Sequence, residues 1–88
     1  MKLKKGFVLS KINNKHYAVP VGPMAQKHRI LIQMNSTCLF VWNQLQKDTT
    51  EQKLLDAITR EYEVAPDVAQ QDLSRFLEAL RNAKLLED

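Results

Sequence analysis

The segment "ILIQMNSTCLFVWNQL", Ile30 to Leu45, changes its hydrophobic period with no linker between its halves. Up to Met34 the residues alternate. Ile30, Ile32 and Met34 share one face, and Arg29, Leu31 and Gln33 share the other, as in a strand. Beyond Asn35 the period lengthens: Cys38, Val41, Trp42 and Leu45 fall at i, i+3, i+4 and i+7, one face of a helix. Leu39 and Phe40 carry apolar character around most of the circumference, so this helix is expected in the core rather than on it. Asn35, Ser36 and Thr37 are all candidate N-caps. The joint holds neither glycine nor proline, so a strand is tied directly to the helix that plugs the core.

The flanking elements narrow the fold class. "GFVLSKI" (Gly6 to Ile12) and "HYAVPV" (His16 to Val21) are short runs of strand formers, joined by "NNK". Asn13 and Asn14 tolerate positive φ and suit a tight hairpin turn. Pro20 lacks an N–H, so pairing should fail on one side there. "GPMAQK" (Gly22 to Lys27) reads as a loop and His28 to Met34 as the third strand. After a break at "KDTT", a second helix is expected over about Thr50 to Glu63, with Leu54, Ile58 and Tyr62 on one face. Pro66 then opens a third, to about Ala83, which aligns Ala69, Leu73, Phe76, Leu77 and Leu80. Leu85 and Leu86 in the tail should pack back. The order predicts one α+β domain over residues 1–88, a small three-stranded antiparallel sheet followed by three helices.

Charge is distributed unevenly. Residues 1–47 hold eight Lys or Arg and no carboxylate, whereas residues 48–88 hold five basic and ten acidic residues. The net +3 therefore hides a basic N-terminal half, which would favour an acidic partner. Cys38 is the single cysteine, so neither an intrachain disulfide nor a multi-cysteine metal site is available. The start has a basic region but only Phe7, Val8 and Leu9 as its apolar part, too short for a signal peptide of ~7–15 apolar residues. No run approaches the ~18 residues of a membrane span. A cytoplasmic chain with no membrane partner is expected.

Catalytic chemistry finds little support. His16, His28 and Cys38 show no ligand spacing, so no metal or other cofactor is expected. Gly6 and Gly22 are isolated and build no phosphate loop. Ser10, Ser36 and Ser74 lie in no nucleophile motif. Cys38 on an apolar helical face reads as core rather than as a reactive thiol. The chain is not expected to be an enzyme. A winged-helix DNA-binding regulator is an alternative, because strands and short-linked helices fit that order. Its reading helix, however, would open with Asp67 and Asp72, where a DNA reader concentrates cations. No nucleic-acid partner is therefore expected.

"MNSTCLFVWNQL" resembles the Asn-Glu-Thr-Gly-x-x-x-Trp segment of PqqD-like proteins, the peptide-recognition elements of ribosomal-peptide modification pathways. Asn35, Thr37 and Trp42 match, while Ser36 replaces an acidic residue and Cys38 a small one. "YAVPVGPMA" resembles the family's second strand and following loop, and "LLDAITREYEVAPDVAQQDLSRFLEALRNAKLLE" its last two helices and Leu-Leu ending. Ala65 stands where the family often has an aspartate cap. The resemblance spans about residues 6–87.

The resemblance implies a winged helix-turn-helix-like domain that binds the leader region of a precursor peptide. It also implies presentation of that peptide to a modifying enzyme, often a radical S-adenosylmethionine enzyme. The peptide would add as a strand to the edge of the third strand and lie against the third helix. An edge supplies unpaired backbone groups for affinity, and neighbouring pockets supply specificity. The expected site is therefore Arg29, Ile30, Leu31, Ile32, Gln33 and Met34 on the strand, with Gln71, Arg75, Leu77 and Glu78 on the helix. Leu31 is the candidate outward anchor, and Leu77 could serve either groove or core. The free edge also leaves a homodimer open. A structural subunit of the modifying enzyme is the remaining alternative.

Overall fold

The computed structural model describes residues 1–27 and 32–87, with the side chains of Met24 and Lys27 excepted. The order is β1 (Lys2–Leu3), β2 (Phe7–Ile12), β3 (Lys15–Pro20), α1 (Pro23–Lys27), β4 (Ile32–Met34), α2 (Ser36–Gln44), α3 (Glu51–Glu61), α4 (Pro66–Asn82) and β5 (Leu86–Glu87). The α+β class and the principal three strands and three helices are as the sequence predicts. Of the third strand, His28 to Leu31 lie outside the described residues.

β2, β3 and β4 form an antiparallel sheet in that spatial order. Phe7 faces Pro20 and Ile12 faces Lys15; across the next seam His16 faces Met34 and Ala18 faces Ile32. Asn13 and Asn14 turn the hairpin with φ of 51° and 67°, the left-handed pair that matches strand twist. Among the described residues the β3–β4 pairing runs from His16–Met34 to Ala18–Ile32.

Three elements escape the sequence reading. Residues Pro23–Lys27 make a one-turn helix rather than a plain loop. Proline fits the first helical position, and the residues after it are good helix formers. β1 and β5 pair antiparallel, Lys2 with Glu87 and Leu3 with Leu86, joining the two ends of the described chain. Two-residue strands are too short to leave a periodic signal.

The helices supply most of the core. Val41, Trp42 and Leu45 of the α2 segment, Leu54 and Ile58 of α3, and Ala69, Leu73, Phe76, Leu77 and Leu80 of α4 are buried. Among the described residues of β2, β3 and β4 only Ala18 and Met34 are buried to that degree, and Leu85 and Leu86 are buried with them. Asn35 caps α2 by accepting the Cys38 N–H at 2.8 Å, and Thr50 caps α3 through the Lys53 N–H at 3.2 Å. Ala65, the residue before α4, supplies no side-chain cap, as the replacement of the family's aspartate implies. Pro66 at its first position and Asp67, whose carboxylate accepts the Val68 N–H at 3.0 Å, stand in.

Candidate functional site

β4 has β3 on one side, and among the described residues nothing pairs with its other edge. Its side chains alternate: Met34 is buried, Ile32 half-buried and Gln33 exposed. The strand thus presents hydrogen-bonding backbone at its rim while its inward residues fix it to the core. Asn35 ends the strand and caps α2 in one residue, so strand edge and helix N-terminus are held together.

A groove of about 300 Å³ opens where β4 ends, between the first turns of α2 and the middle of α4. Val41, Leu73 and Phe76 form an apolar floor, each under a tenth exposed. Asn35, Thr37 and Cys38 form one wall, Asp72 and Arg75 the other. The volume is at the lower end of the ~300–1,000 Å³ typical of small-molecule sites, a size that suits side chains of an extended peptide. Burial raises the pKa of the Cys38 thiol. The backbone hydrogen bond at Asn35 opposes this, and the negative charge of Asp72 reinforces it. The thiol is thus held protonated, a poor nucleophile on the wall of the groove.

The expected site residues divide. Arg29, Ile30 and Leu31 lie outside the described residues. Ile32, Gln33 and Met34 form β4 itself, with the in-and-out alternation read from the sequence. Arg75 is exposed and lines the groove. Gln71 and Glu78 are exposed on α4 but are not among the groove's lining residues. Their positions, four before and three after Arg75, place them on the flank turned away from Asp72 and Phe76. Leu77 is fully buried, so its place is the core and not a contact surface, a correction to the expected site. Cys38, read as core, is only half-buried and belongs to the groove. Asn35, Thr37 and Asp72 also line the groove. The first two are matched motif positions, and Asp72 stands on the α4 line beside the core stripe that the sequence sets against the groove. The exposed face of α4 mixes Asp67, Asp72 and Glu78 with Arg75 and Arg81, which is not a cation-concentrated reading face.

No group of three or more metal-ligating side chains occurs among the described residues. No described helix is long and apolar enough to cross a membrane.

The antiparallel sheet, the short-linked helices and the free β4 edge define a winged helix-turn-helix-like α+β domain. Within that class the chain belongs to the PqqD family, described as Coenzyme PQQ synthesis protein D, which matches residues 24–86. Among solved structures, TbiB1 in complex with the TbiA(beta) leader peptide is similar over 99% of this chain and 95% of that one, with a TM-score of 0.74 and 26% identity. No curated protein matches the chain.

Proposed function

We propose that this protein binds the leader region of a ribosomally synthesised precursor peptide and presents it to a modifying enzyme of the radical S-adenosylmethionine kind. The leader adds as a strand to the free edge of β4 and places side chains in the groove between α2 and α4. The protein contributes recognition, and the enzyme contributes the chemistry. The observation that supports this most is a free strand edge ending at an apolar-floored groove, in a chain similar throughout to TbiB1, which was solved with a leader peptide. Backbone pairing and apolar burial dominate the affinity, and exposed ion pairs add about 0–1 kcal/mol each. Ordering a flexible leader opposes binding.

Titration of the labelled protein with the precursor peptide encoded beside it, followed by NMR, tests the proposal. The expected outcome is shifts concentrated in residues 28–38 and 67–81. Shifts confined to the β2–β3 hairpin or to α3 would defeat the site.

A further inference from the structure

A second cleft, of about 630 Å³, lies at the other end of α2. Lys2, Lys4 and Lys5 line it, opposed by Glu87, and the aromatic side chains of Phe7 and Trp42 contribute to its floor. It shares no lining residue with the groove beside β4. The lysines do not sit on a loose tail. The Leu3 N–H donates to the Leu45 carbonyl at 2.9 Å and the Lys4 N–H to the Leu85 carbonyl at 2.8 Å. The Gly6 carbonyl accepts from the Val21 N–H at 2.8 Å. The basic wall is therefore pinned to the helical core and to the sheet. Lys2 approaches Glu87 at 3.8 Å, while Lys4 and Lys5 form no ion pair with any described residue. The cleft thus keeps an excess of positive charge, in the half of the chain that carries no carboxylate.

We infer that this cleft is a docking site for an acidic polypeptide segment of a partner protein, one carrying carboxylates and an apolar side chain. Charge complementarity to Lys4 and Lys5 selects the acidic residues, and the aromatic floor takes the apolar one. An extended segment points successive side chains to opposite faces, so alternate residues, about 6.6 Å apart, share the face that meets the lysines. Shape favours a polypeptide over the other polyanions. A nucleic-acid duplex and a lipid surface both offer phosphates on a broad front, and neither fills a concave floor of Phe7 and Trp42. Because the two clefts are separate, both can be occupied at once, as an adapter between a peptide and an enzyme requires. That the acidic segment belongs to the modifying enzyme rests on the function proposed above; the cleft and its charge do not.

The test uses the full chain and a labelled peptide rich in Glu and Asp with a single leucine. A same-length Gln and Asn peptide is the control. Trp42, the single tryptophan, lies in this cleft and reports occupancy by its fluorescence. Expected are a change in Trp42 emission on adding the acidic peptide, weakening as salt rises, and none with the neutral peptide. NMR shifts should fall on Lys4, Lys5, Gly6, Trp42 and Gln46. Lys4→Glu with Lys5→Glu should lower acidic-peptide affinity about tenfold or more, and Lys5→Glu alone by less, while leader affinity stays unchanged. Absence of binding at low salt overturns the inference. So does equal or tighter binding of a single-stranded oligonucleotide or of anionic phospholipid vesicles to the same residues. If the leader fails to bind but the acidic peptide binds, the proposed function falls and the cleft stands; the reverse result removes only the cleft.

Discussion

The sheet has two outer strands, β2 and β4, and they make different use of the same backbone chemistry. Each pairs with β3 on one side only, among the described residues. β2 is six residues long, and Val8, Leu9 and Ile12 on it are exposed. It carries Lys11 and leads to Lys15 at the hairpin end, charges of the kind that discourage edge-to-edge association. β4 runs straight into Asn35 and α2, with Met34 in the core and a groove at its end. A free edge alone is therefore a generic feature. What distinguishes β4 is a floor and two walls supplied by helices, which in the proposed function turn unspecific backbone pairing into recognition of particular side chains.

The largest test of that difference lies beneath the two strands. Leu73 is 2% exposed and forms part of the groove floor, whereas Leu9 on β2 is 36% exposed. Leu73→Ala should cost about 2–5 kcal/mol in stability, the range for deleting buried leucine methyls. Leu9→Ala should stay within about 0.5 kcal/mol, as for most surface changes. Urea denaturation measures both. Similar losses would mean that β2 is as firmly integrated as the groove, and the comparison would fail.

The sequence revealed the parts of this contrast that repeat and hid those that do not. The core stripe of α4 was legible because five buried residues recur at helical spacing. The hairpin was legible because Asn13 and Asn14 carry the turn chemistry themselves. The groove was less so, because it is made by two helices far apart in sequence, and no local period says which flank of α4 meets α2. Helical spacing therefore groups Arg75 with Gln71 and Glu78, although it alone of the three lines the groove, and leaves Leu77 between groove and core. Cys38 looked like core because it shares a helical face with Val41, Trp42 and Leu45. It sits nearest the open end of that face, where α4 leaves a gap.

A smaller effect separates the asparagines at the ends of the two strands. Asn35 ends β4 and holds the α2 N-terminus through the Cys38 N–H. Asn13 follows β2 and holds a positive φ of 51°. Asn35→Ala should cost about 1 kcal/mol through the lost cap, and Asn35→Asp should restore most of it. Asn13→Ala should cost about as much, through left-handed backbone strain. Leader binding then discriminates. Isothermal titration should show weakened binding for Asn35→Ala, whose site is the rim of the groove, and unchanged binding for Asn13→Ala. Equal losses of affinity would show that the groove depends on global stability rather than on its own rim.

The smallest expected effect concerns charge. Arg75 and Asp72 stand on the same wall of the groove with opposite signs, so under the proposed function the wall senses the sign of the leader charge beside it. Both are exposed, so each contributes little: removing one should change leader affinity by about threefold, within the 0–1 kcal/mol of surface pairs. The direction carries the information. For a leader that is acidic at this point, Arg75→Ala weakens binding and Asp72→Asn strengthens it; for a basic leader the two effects exchange. Lys11→Ala on β2 changes neither. Because the contacts are exposed, the pair of effects should shrink together as ionic strength rises through about 0.15 M, where the screening length falls to about 8 Å. Effects of the same sign from Arg75→Ala and Asp72→Asn would mean that the wall acts through packing rather than charge. Selectivity would then rest on the floor of Val41, Leu73 and Phe76 alone.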